Sequence, residues 1–86
     1  MLKEQKDFNE VLLYTKYVGF KNKAELETYL KKKGFGVNYL NFYTDSEEND
    51  IAFKVDFLGN KVVSVEAVVF PFSFKMLKEF DAVYFG

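Results

Sequence analysis

Between Ile51 and Phe70 the chain reads as an alternating strand, a Gly59-Asn60 turn and a second strand dense in valine. This hairpin limits what the rest can do. In its first half Ile51, Phe53, Val55 and Phe57 share one face while Ala52, Lys54 and Asp56 share the other, because strand side chains alternate with a period of two. The second half is ambiguous, with Val62, Val63, Val65, Val68 and Val69 on both faces. A two-residue loop at Gly59-Asn60 sets Phe57 against Val62 and brings Ser64 and Glu66 onto the apolar face, burying a carboxylate at a cost on the order of several kcal/mol. A three-residue loop, Leu58-Gly59-Asn60 with Asn60 left-handed, pairs Val55 with Val63, Phe53 with Val65 and Ile51 with Ala67, and keeps both polar residues outside. This register is the expected one. It leaves Val62 and Val68 on the outer face, either partly covered by another element or available to a partner.

Composition narrows the chemistry. At 86 residues the chain is expected to form one domain, residues 1–86, able to bury roughly 60 to 65% of its unfolded surface. Without cysteine it has no disulfides, thiolate zinc sites or thiol catalysis, which suits a reducing compartment. No apolar run is long enough to span a membrane and no signal-peptide core is present at the start, so a cytoplasmic location is expected. All twelve basic residues are lysine, with arginine, histidine and tryptophan absent. That bias is what an AT-rich coding sequence produces, and it suggests a low-GC bacterium or one of its phages or mobile elements. Lack of histidine removes the usual general base near neutral pH, and lack of arginine removes the planar fork suited to phosphate and guanine. A net charge of −1 supplies no field to attract nucleic acid.

In chain order, Phe8, Val11, Leu12, Thr15 and Val18 form a helical stripe, predicting a helix over Glu4–Tyr17 that Gly19 ends, with Tyr14 and Tyr17 partly exposed. A second helix, Lys23–Lys33, has Asn22 as N-cap, Glu25 as its capping-box partner and Gly34 past its end. Gly34 then sets Phe35 beside Leu30 in a Schellman ending, with Leu26, Tyr29 and Leu30 buried and Lys31, Lys32 and Lys33 facing the negative end of the helix dipole. Val37–Thr44 is predicted as one strand with Leu40 and Phe42 inward and Tyr39 and Tyr43 outward. Ser73 caps a short helix over Phe74–Phe80, with Phe72 stapled onto Leu77. The tail from Asp81 to Gly86 is expected to dock as a short fourth strand.

Three local patterns invite a functional reading. Lys33-Gly34-Phe35-Gly36 resembles the opening of the octamer found in the RNA-recognition-motif family, but Val37, Asn38 and Leu40 depart from it, and the helix ending already accounts for Gly34 and Phe35. The resemblance therefore carries no function here. Asp45, Glu47 and Asn49 fall at alternating positions like those of a calcium loop, yet the required glycine is Asp50 and the closing glutamate is Asp56. The run Asp45-Ser46-Glu47-Glu48-Asn49-Asp50 is thus a solvated connection, with no metal or cofactor expected. Catalytic residues are not identifiable from any nucleophile-plus-base pattern.

The expected fold is α+β: two N-terminal helices, a three-stranded antiparallel β-meander, a short C-terminal helix and the tail strand. The expected role is a small non-enzymatic protein-interaction module, an inhibitor or accessory factor. Tyr39, Tyr43, Asp45, Glu47, Glu48 and Asp50 form its partner surface, and Val62 and Val68 a second patch. Two alternatives are a single-stranded nucleic-acid binder stacking bases on the Tyr face, which the acidic loop disfavours, and a self-associating structural subunit.

Overall fold

The computed structural model describes residues 8–84, with side chains through residue 80. Its elements run α1 (Phe8–Tyr17), α2 (Lys23–Lys32), β1 (Val37–Tyr39), β2 (Phe42–Thr44), β3 (Ile51–Leu58), β4 (Lys61–Val69) and α3 (Phe74–Tyr84). The strands form one antiparallel sheet in the order β1-β2-β3-β4. The α+β class holds. The predicted start of the first helix, Glu4, lies outside the described residues.

The ends of α2 follow from four residues. Asn22 Oδ1 accepts the Glu25 N–H at 2.9 Å, while Glu25 Oε1 receives the N–H of Lys21, not that of the cap residue. At the other end the Phe35 N–H reaches the Leu30 carbonyl at 2.7 Å and the Gly34 N–H reaches the Lys31 carbonyl at 3.1 Å. Gly34 takes a φ of 94°, where a Cβ would clash, and this bond pair is the Schellman closure. It delivers Phe35 into the core at 1% exposure. There Phe8, Phe35 and Phe53 pack mutually with ring centroids 4.7–5.1 Å apart, surrounded by Val11, Leu26, Leu30, Tyr43 and Val55. Val18, placed on the helical stripe by its spacing, follows the end of α1 and is 68% exposed.

Val37–Thr44 is not one strand. It folds back at Leu40-Asn41, so that Tyr39 pairs with Phe42 and Asn38 with Tyr43. Leu40 has a φ of 53° and is 67% exposed, so the expected inward position of Leu40 is corrected. A leucine at positive φ is strained, and no glycine or proline marked the turn.

The β3–β4 register also differs from expectation. Gly59, at φ 62°, is the left-handed residue of a two-residue loop, and Asn60 is not. Phe57 pairs with Val62, but Asp56 pairs with Ser64, leaving Val63 as an inserted bulge residue. The insertion turns Val62 toward the core and returns Lys54 opposite Glu66, Val55 opposite Val65 and Phe53 opposite Ala67. No carboxylate is buried, so the energetic requirement is met by a bulge instead of a longer loop. Val63, expected inside, is 59% exposed; Ala67 stands on the inner side of the sheet but is also exposed.

The other side of the sheet is a second packed layer. Ala52, Thr44 and Phe74 have no exposed surface, and rings of Phe42, Phe70, Phe72 and Phe80 follow one another at 5.4–5.7 Å into α3. Phe42 therefore faces this layer and not the main core. The Ser73 hydroxyl accepts the Met76 N–H at 3.4 Å, and Phe72 contacts Phe80. α3 continues through Tyr84, so Asp81–Tyr84 is helical where a tail strand was expected, the last two positions of that expectation lying outside the described residues; the sheet's fourth strand comes from the Leu40-Asn41 turn.

Two substitutions check this architecture. Phe35→Ala is expected to lower stability by about 3–5 kcal/mol in urea unfolding, the range for deleting a fully buried ring. Leu40→Gly is expected to raise it by about 1 kcal/mol, because glycine accepts positive φ and removes an exposed apolar side chain.

Candidate interaction surface

The tyrosine surface expected from the sequence is divided by the Leu40-Asn41 turn. On a straight strand Tyr39 and Tyr43 share a face, whereas across this turn Tyr39 joins Phe42 on the α3 side and Tyr43 faces α2. Tyr39 is half-buried and Tyr43 is only 2% exposed. The Tyr43 hydroxyl donates to Glu27 Oε2 at 2.8 Å, at the base of a shallow cleft also lined by Lys31, Phe35, Gly36 and Asn38. Burial, aided by the Glu27 carboxylate, holds the Tyr43 phenol well above the usual tyrosine range. Tyr43 is thus a core residue.

The acidic loop is largely spoken for as well. Asp45 Oδ1 accepts the Asn49 amide at 2.7 Å, and Asn49 Oδ1 accepts the Ile51 N–H at 3.3 Å. The carbonyls of Asn49 and Glu47 accept the N–H groups of Phe74 and Lys75, satisfying donors at the start of α3. The Glu47 carboxylate bonds Lys78, and that hydrogen bond holds it below the usual carboxylate range. Glu48 and Asp50 remain exposed. The loop therefore works as a seat for α3. Among the described residues no group of three or more acidic side chains is placed to hold a metal.

The second expected patch is divided too. Val62 packs against the main core through the bulge, and Val68 is half-buried beside Ala52 on the opposite side of the sheet.

What stands open is the long edge of the sheet. β4 is the terminal strand, and no strand lies beyond it among the described residues. The Phe70 N–H bonds the Asp50 carbonyl, which makes the pairs Ala52–Val68, Lys54–Glu66 and Asp56–Ser64 the bonded ones. The Val55 N–H bonds the Asn41 carbonyl, so the odd residues of β3 turn the other way, to β2. Val65, Ala67 and Val69 must then direct their own N–H and C=O groups to the open edge. Val69 is 70% exposed, and the nine residues of β4 carry only two charges, Lys61 and Glu66. Sequence order in a meander makes the last strand an edge, but a tail strand would have covered this one.

Comparison with known protein families, with curated proteins and with solved structures finds no match for this chain. No helix among the described residues is long and apolar enough to cross a membrane.

The Tyr43–Glu27 bond yields a pH signature. A phenol whose folded pKa is raised stabilises fully below its unfolded value near 10 and loses that contribution as pH climbs toward the folded value. Tyr43→Phe is expected to cost about 1–2 kcal/mol at neutral pH. The gap from wild type should shrink as unfolding is measured at increasingly alkaline pH.

Proposed function

We propose that this chain is a small non-enzymatic protein-interaction module, of the kind that serves as an inhibitor or accessory factor, and that it binds by accepting a partner strand along the open edge of β4. One observation carries the reading: a nine-residue edge strand with three consecutive outward-facing backbone pairs at Val65, Ala67 and Val69 and a single charge, Glu66, among them. Backbone groups on such an edge supply directional affinity, and the side chains that flank them supply selectivity. The Tyr39, Tyr43 and acidic-loop surface supports binding less well, because Tyr43 packs inside and Asp45 and Glu47 bond within the protein. A base-stacking role loses the same ring.

Ala67→Pro tests the reading. Its N–H bonds nothing within the sheet, so the variant should keep its circular dichroism spectrum and lose no more than about 1 kcal/mol of stability. Affinity capture from the native host with wild-type bait should recover a partner that Ala67→Pro bait does not. Equal recovery by both baits overturns binding at this edge.

A further inference from the structure

We infer that the strand accepted by β4 is the β4 of a second copy of this chain, antiparallel to the first, with the two-fold axis passing through Ala67. This rests on the strand-addition reading and names its partner.

The argument is one of register. The usable edge is bounded by the bulge at Val63 and by Pro71, which has no N–H and ends regular pairing. The interval between them, residues 64–70, has Ala67 at its midpoint. Antiparallel pairing about that point sets Val65 against Val69 of the other copy, Ala67 against its own counterpart, and Val69 against Val65. All three residues direct N–H and C=O to the open edge, so each facing pair exchanges two hydrogen bonds and none is left over. On one side of the joined sheet these side chains are all apolar, covering Val69, which is 70% exposed in the single chain. On the other side Glu66 faces Val68 and Ser64 faces Phe70, with no charge opposite a like charge.

Neighbouring registers are worse. Centred on Glu66, the pairing opposes two carboxylates directly and engages only Val65 and Ala67. Centred on Val68, it puts Pro71 opposite Val65 and forfeits that pair. Centred on Val65, it drives Ala67 into the bulge at Val63. The chain's net charge of −1 presents little long-range repulsion between copies.

The axis makes the test specific, because residue 67 alone meets its own counterpart. Sedimentation of the wild type over a concentration series is expected to show a monomer–dimer equilibrium. Ala67→Lys and Ala67→Glu, each by itself, should weaken dimerisation by roughly tenfold or more, and an equimolar mixture of the two should recover it as a heterodimer. Since the chain has no cysteine, Ala67→Cys should oxidise to a single disulfide-linked dimer, whereas Val69→Cys should not. A wild type that stays monomeric up to its solubility limit overturns self-pairing, as does a dimer whose affinity is the same in both charged variants. Failure of the mixture to recover dimer overturns the register. Host capture lost on Ala67→Pro beside a monomeric wild type would leave strand addition standing with a foreign partner. Under self-pairing, the protein captured is the untagged native chain.

Discussion

Phe35 is the residue on which the two halves of the molecule meet. Its amide closes α2 and its ring lies against Phe53 at the middle of the sheet, so one residue terminates a helix and fixes how that helix sits on β3. Gly34 makes this geometry accessible, since only a residue at ease with positive φ can turn the chain back sharply enough. Phe8 completes the ring cluster from α1, and the Glu10–Lys33 ion pair at 2.8 Å joins the same two helices at the surface. Burying Phe35 and Phe53 and packing the half-buried Phe8 against both is worth several kcal/mol by area alone, with the edge-to-face Phe8–Phe35 and Phe35–Phe53 pairs adding about 0.5–1.5 kcal/mol each. For a domain of this size that is a large share of the net stability.

The bulge at Val63 has comparable weight at the β4 edge of the sheet. An uninterrupted β4 behind a two-residue loop would expose Val65 and bury Glu66 together. One extra residue avoids both. Val62 packs inward, Lys54 and Glu66 stand opposite each other outside, and the Ser64 hydroxyl donates to Asp56 at 2.8 Å. The Lys23 N–H bonds the Asn60 carbonyl at 2.9 Å, so the tip of this hairpin is tied to the beginning of α2.

Where local chemistry decides structure, the sequence was legible. Asn22, Gly34 and Phe35 announce both ends of α2, and Ser73 announces the start of α3. The inner face of β3 follows from alternation alone. Other features depend on energies that no short stretch displays. Leu40-Asn41 has neither glycine nor proline and puts a leucine at positive φ, and its reversal is set by pairing on both sides, of Tyr39 with Phe42 and of Tyr43 with Phe53. That reversal moved Tyr43 from a presumed binding surface into the core. Ala52 looked solvent-facing by period, yet it is buried because the aromatic residues of 70–80 supply a second layer. The acidic loop looked solvated by composition, while its backbone carbonyls serve the first turn of α3. Each misplacement comes from tertiary contacts competing with a sound local pattern.

The two edges of the sheet are unequal. At one side β1 offers only three residues next to a strained hairpin tip, and at the other β4 offers a long run bracketed by a bulge and a proline. A sheet with two extended edges can add copies head to tail and grow into a fibre. Here growth has one competent side, so an assembly that uses β4 from both partners is isologous, and it consumes the edge it forms on and stops at two. The same asymmetry separates association from amyloid-like propagation within a chain unusually rich in valine and phenylalanine.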